Sequence, residues 1–203
     1  ELINLFDIEG ISKTNATFDR TKLLWFNQQY IKMKSPDELT DLFINWMQKY
    51  SEDKSLYEVI KNDHLEGKLS AKLKLVQERA KTLVEVLDMI RFFYTGPINI
   101  NWEVEPVKKF IPDVEKDISK SVLLKNIKTD IISLHESLSE DTSLWKNDAW
   151  ANKMKDLSLK YGLKPGDSFM VLRMLITGGP FSPPLFECLQ TLGKGEVLKR
   201  LGR

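Results

Sequence analysis

Arg173 stands inside an apolar run, Phe169-Met170-Val171-Leu172-Arg173-Met174-Leu175-Ile176. A guanidinium does not shed its charge, so at such a position it needs a partner or a route to solvent. One helical turn further on, Thr177-Gly178-Gly179-Pro180-Phe181-Ser182-Pro183-Pro184 breaks the helical pattern. An elbow of this composition leaves backbone N–H and C=O groups free beside a fixed charge. That chemistry suits the Watson–Crick edge of an unstacked nucleotide base. Spacing alone leaves a plainer alternative open, in which Arg173 pairs with Glu187 or Glu196 and the elbow is an ordinary turn between helices. Ser182 followed by Pro183 reads as an N-cap with proline in the first turn, so a helix is expected over 184–192 with Gly193 as its stop.

The other reactive residue types point away from catalysis. His64 and His135 are about seventy residues apart with no cysteine or carboxylate pair at ligand spacing, so no metal site is expected and both histidines read as surface residues. The single Cys188 excludes an internal disulfide, fits a reducing compartment, and reads as a small apolar core residue. No glycine-rich loop between a strand and a helix is present to cradle phosphates. No catalytic residue is assigned.

The elements that must position these groups are helical. Asp19 can cap a helix carrying Leu23, Phe26 and Tyr30, with Trp25 on a neighbouring face. Ser35-Pro36-Asp37-Glu38 is a capping box, followed by Leu39, Leu42, Phe43, Trp46 and Met47 at helical spacing. A short helix is expected near 56–61. Ser70 can cap a long helix whose stripe runs Leu73, Val76, Ala80, Leu83, Val84, Leu87, Ile90, Phe93, until Tyr94-Thr95-Gly96-Pro97 breaks it. Between there and Pro112, Asn99, Asn101, Glu103 and Pro106 lie in a non-helical connection whose apolar members should pack back on a helix. Beyond it come a long amphipathic helix over 118–138, another from Asn147 to Tyr161 stopped by Gly162, and one opened by Pro165 that holds Arg173. Period-two alternation is almost absent. The expected class is therefore all-α, a helical bundle of two helical subdomains, 1–95 and 113–203, joined by the connection 96–112.

Composition sets the outer limits. The chain has 203 residues, 42% of them hydrophobic, enough for a normal core. No apolar run approaches the roughly 20 residues that span a bilayer, and the first residues lack a signal-peptide pattern. Glu1 is not an initiator methionine and 1–6 read as the middle of an apolar helical segment stopped near Gly10, so further residues are expected before it. The net charge of +1 argues against a general polyanion binder, yet from Lys160 onward seven basic residues face three acidic ones, a local excess that favours phosphates. Basic residues also gather at helix C-termini to balance the macrodipole.

Two stretches resemble bacterial-type glutamyl-tRNA synthetase. The first is Phe18-Asp19-Arg20-Thr21-Lys22-Leu23-Leu24-Trp25-Phe26-Asn27-Gln28-Gln29-Tyr30-Ile31, similar to the family's Phe-Asp, Lys-Leu, Trp, Asn and Tyr-Ile pattern. The second joins Leu172-Arg173, Leu175-Ile176-Thr177-Gly178, Pro183-Pro184-Leu185-Phe186-Glu187 and Leu192-Gly193-Lys194. Ile11-Ser12-Lys13-Thr14 is superficially like the Lys-Met-Ser-Lys-Ser loop of class I synthetases but directly precedes the first motif, where that loop does not belong. The family's His-Ile-Gly-His element is absent from the chain.

The resemblance implies the helical anticodon-binding part of the enzyme, a helical cage, without its catalytic domain. Arg173 would read the first and second anticodon bases, and Ser182, Pro183 and Leu185 would bracket the first. Arg79 falls where the family places an arginine facing the third base; it reads equally as a solvent-facing helix residue near Glu78 and Glu85. Lys22 and Trp25 would lie against the tRNA backbone, though Lys22 is otherwise an ordinary exposed lysine and Trp25 a plausible core residue. The implied parent joins glutamate to its tRNA with ATP and Mg2+, while the fragment itself needs no cofactor. The implied partner is glutamate tRNA, with glutamine tRNA left open, bound by a cytoplasmic monomer without DNA or membrane. The alternative from another class is a helical scaffold that binds a protein through an apolar groove near 178–184.

Overall fold

The computed structural model describes residues 17–97, 100–111 and 117–202, and among them every regular element is a helix. The segment 1–6, Gly10, the Ile11-Ser12-Lys13-Thr14 turn, Asn99 and Pro112 lie outside the described residues. Among the described residues no helix is long and apolar enough to cross a membrane.

The expected caps start the first helices. Asp19 Oδ1 accepts from the Lys22 N–H at 3.0 Å and opens α1, Arg20–Met33. Ser35 Oγ accepts from the Glu38 N–H at 3.3 Å while Glu38 Oε2 accepts from the Ser35 N–H at 2.8 Å, opening α2, Pro36–Tyr50. These bonds, led by the one from the Ser35 backbone, hold the exposed Glu38 carboxyl below its usual range. Leu39, Phe43 and Met47 of α2 are buried, and Leu42 sits at the edge of the stripe. Asp53 caps α3, Lys54–Leu65, through the Leu56 N–H at 3.0 Å.

The long helix expected after Ser70 is instead three. α4 is Leu69–Gln77, α5 Leu83–Ile90 and α6 Phe92–Thr95. Ser70 is not the cap; the helix starts one residue earlier, at Leu69, without a side-chain cap. Thr82 causes the break, since its hydroxyl accepts from the Glu85 N–H at 3.1 Å and starts α5, while Glu85 Oε2 accepts from the Lys81 N–H at 2.7 Å. A new N-terminus here satisfies donors that a continuous helix would have bonded internally. Most of the stripe is still buried, but Val84 turns outward.

Gly96, at φ 66, ends α6 as expected. The connection carries a short 3-10 turn, Val107–Lys109, and Val107 and Ile111 are fully buried, so its apolar members do pack inward. α7, Ile118–Glu136, is capped by Asp117, and α8, Asn147–Lys160, is followed by Gly162 at φ 66. α9, Asp167–Thr177, carries Arg173. α10, Leu185–Arg200, is interrupted at Gly193, whose φ 79 and ψ 156 end its first segment where the sequence predicts a stop.

The buried side chains form two clusters. One draws on α1 to α6 and takes Cys188 from α10; the other draws on the connection and α7 to α10. Leu192 touches both, so α10 lies along the join. Arg200 ties the join together: its guanidinium donates to Phe93 O at 3.1 Å, to Ile176 O at 3.0 Å and to Glu196 at 2.8 Å.

One expected surface residue is a core residue. His135 is fully buried, with Nδ1 at 2.7 Å from Ile131 O and Nε2 at 3.4 Å from Trp150 Nε1. An indole N–H only donates, so Nε2 accepts and Nδ1 carries the proton. Burial lowers the His135 pKa, keeping the ring neutral. It belongs to the buried stripe Ile127, Ile131, His135 on α7. His64 is half-buried on α3.

Candidate nucleic-acid interface

Arg79 and Arg173 come together although they lie far apart in sequence. The break between α4 and α5 takes Arg79 off the helix and into an exposed turn, where its Nη1 donates to Ser182 O at 3.2 Å. Arg173 reaches the same elbow from α9. Its Nη1 donates to the Ser182 hydroxyl, to Ser182 O at 3.4 Å and to Pro183 O at 3.2 Å. Neither Glu187 nor Glu196 pairs with Arg173; Glu196 is taken by Arg200 and Lys199. Burial pulls the half-buried Arg173 below its ordinary pKa, an effect the Cys188 beside it opposes and the Arg79 charge adds to. Cys188 itself is fully buried and its thiol is pushed up to about 12 by burial, so it is an inert core residue as expected.

Ser182 serves the arginine instead of capping a helix. Its hydroxyl accepts from Arg173 and donates to Pro183 O at 2.8 Å, and α10 begins only at Leu185 with no side-chain cap. Pro184 is the cause, because a residue before proline is pushed out of the α region and Pro183 cannot be a first helical residue.

The two arginines and the elbow enclose a cavity of about 570 Å³. Pro180, Phe181, Ser182 and Pro183 form one wall, Met89 and Met170 the apolar floor, and the exposed Asp88 contributes an acceptor. Phe181 is 87% exposed at the rim. Each guanidinium spends only Nη1 on the elbow, so among the described residues Nη2 and Nε remain available as donors. Leu185 is not in the cavity; it is buried in the second cluster behind the elbow.

Lys22 and Trp25 occupy a different surface. Both are exposed on α1, with Trp25 edge-on to Phe26 at 5.1 Å and Lys22 Nζ at 6.0 Å from the Phe26 ring. Trp25 is therefore not a core tryptophan. Leu23, Phe26 and Tyr30, expected to form the packing stripe of α1, are also exposed.

Sequence reasoning missed Asp88, Met89, Met170 and Phe181. Phe181 could have been found as an aromatic inside the elbow; Asp88 and Met89 carry no signal, because only the fold brings α5 to that wall.

Residues 38–203 match the family model described as an anticodon binding domain. The chain belongs to this family. Curated relatives include a glutamate–tRNA ligase of Borrelia recurrentis, 34% identical over all of this chain and 37% of the relative, and one of Geobacter sulfurreducens, 29% identical over all of the chain and 38% of the relative. The chain thus spans little more than a third of the length of the relatives it matches. Among solved structures, a glutamate tRNA ligase from Elizabethkingia meningosepticum aligns with 97% of this chain and 34% of its own, at a TM-score of 0.61 and 22% identity, a likeness of fold. The anticodon-binding family membership and the all-α architecture agree with the resemblance seen in the two sequence motifs.

Proposed function

We propose that this chain is the anticodon-reading part of a glutamate–tRNA ligase and that the cavity between Arg79 and Arg173 receives unstacked anticodon bases. The observation that carries the reading is the convergence on one elbow carbonyl of two guanidiniums that have no carboxylate partner among the described residues. A phosphate would be served by donors alone, whereas a base edge presents both donors and acceptors. Arginine N–H groups beside the Asp88 carboxylate and the elbow carbonyls offer both kinds.

In this reading Arg173 meets the first and second bases, Ser182 and Pro183 bracket the first while the buried Leu185 supports the elbow, and Arg79 meets the third. Phe181 supplies a face for stacking. Lys22 and Trp25 on α1 meet the RNA backbone. The partner is glutamate tRNA, and the protein acts as a cytoplasmic monomer. Joining glutamate to that tRNA, with its ATP and Mg2+, belongs to the rest of the parent enzyme.

Filter binding of the chain to tRNA as salt is raised tests the reading. Phosphate contacts release counterions, so affinity should fall steeply. Salt-independent binding would favour a protein-binding apolar groove instead.

A further inference from the structure

The turn that bears Arg79 has no helix ladder of its own to hold it. Residues 78–82 lie between α4 and α5, and the carbonyls of Glu78, Arg79 and Lys81 are available to outside donors. α1 supplies them. Gln28 Nε2 donates to Glu78 O at 3.1 Å and to Arg79 O at 3.4 Å, and Asn27 Nδ2 donates to Lys81 O. The reverse grip comes from Gln77, whose Nε2 donates to Ile31 O at 3.0 Å and to Lys34 O at 2.8 Å, while Lys32 and Glu78 pair at 3.2 Å. The Arg79 N–H is held by Val76 O at 2.9 Å.

We infer that Asn27 and Gln28 are positioning residues that fix the Arg79 turn, and with it the arginine's aim at the elbow. Neither amide enters the cavity. Their place in the helix matters as well: the same α1 turns Lys22 and Trp25 outward, so the helix that docks on RNA also braces the base-reading arginine. A side chain as long as arginine, exposed on a turn, aims at one atom only if its own backbone is fixed. Only donor groups can do this to three carbonyls, which is why amides and not carboxylates stand at 27 and 28.

The inference rests on Arg79 reading the third anticodon base. Two anticodon stem-loop hairpins, identical except for cytosine or guanine at the third position, are titrated against the wild-type chain, Arg79→Ala, the pair Asn27→Leu and Gln28→Met, and the combination of all three substitutions. The neutral replacements keep the side-chain volume and remove the donors without adding charge. The expected result is a loss of the cytosine preference of about tenfold in the Asn27/Gln28 pair, with no further loss when Arg79→Ala is already present. If the pair weakens both hairpins alike, or keeps the preference that Arg79→Ala abolishes, the positioning role is overturned while the reading of the third base survives. If Arg79→Ala itself leaves the preference unchanged, the third-base reading fails and the inference falls with it.

Discussion

Arg79 and Arg173 donate to the same atom, the carbonyl oxygen of Ser182, at 3.2 and 3.4 Å. Two like charges held this close oppose each other, and the elbow carbonyls to which they donate counter that repulsion. In the proposed reading, an acceptor-bearing base in the cavity would complete the arrangement. Three prolines, Pro180, Pro183 and Pro184, and the Arg173–Ser182 bonds restrict the elbow and hold its carbonyls in place, a preorganisation that would suit base binding.

The third-base preference should depend on Arg79. Cytosine presents N3 and O2 acceptors, guanine N1–H and N2–H donors, and arginine has donors only. Opposed donors cost on the order of 1 to 3 kcal/mol. Arg79→Gln supplies an acceptor as well as a donor, so it should narrow the preference for glutamate tRNA over glutamine tRNA, measured as kcat/KM of the full-length parent on both. An unchanged ratio would remove Arg79 from the third base.

Phe181 should act without regard to base identity. Stacking is worth about 1 to 3 kcal/mol per base and tolerates any of the four. Phe181→Ala should therefore weaken binding of all anticodon hairpins by a similar factor, and Phe181→Trp should retain it. A loss confined to one base would contradict a stacking role. Since the side chain is 87% exposed, thermal stability should barely move.

His135 makes stability depend on pH. Its folded pKa lies below the usual value, so between that folded value and about 6.5 the unfolded chain binds the extra proton. The contribution is fully present above about pH 6.5 and is lost as pH falls, by up to about 1.4 kcal/mol per pH unit until the folded pKa is reached. Urea unfolding between pH 7.5 and 5 should show this loss, and His135→Gln should flatten it. Parallel profiles for the two proteins would mean that His135 charges freely in the fold.

The two glycines at and near the elbow helices offer a matched pair. Gly193 has φ 79 with nothing within 4 Å of an added Cβ, so Gly193→Ala should cost about 1 to 2 kcal/mol from backbone strain alone. Gly166, with φ -89 and equally open space, should accept alanine at little cost. Equal effects in chemical denaturation would contradict the left-handed conformation at Gly193.

Local signals were the legible ones. Asp19 and Ser35 each bond to a backbone N–H in the first turn of the helix that follows, and Gly96, Gly162 and Gly193 stop helices because the chain there turns to positive φ. The break at 78–82 was hidden because the apolar stripe runs nearly in phase across it, although Thr82 and Glu85 spell a capping box. Ser182 misled for the opposite reason: a cap residue stood before two prolines that forbid the helix it would cap. His135 looked like surface because its type is polar, when its spacing after Ile127 and Ile131 placed it on a buried face. Of the site, Arg173 and the elbow could be read from one contiguous stretch. The wall from α5 and the amide grip of α1 could not, since they depend on tertiary packing between distant segments.

The most direct measurement is the affinity of this chain for a hairpin carrying the glutamate anticodon against the same hairpin with all three anticodon bases exchanged, for wild type and Arg173→Ala. The cavity reading predicts that wild type prefers the glutamate anticodon by about tenfold or more and that Arg173→Ala loses most of that preference by weakening the cognate hairpin alone. Equal affinity of the wild-type chain for the two hairpins would contradict it.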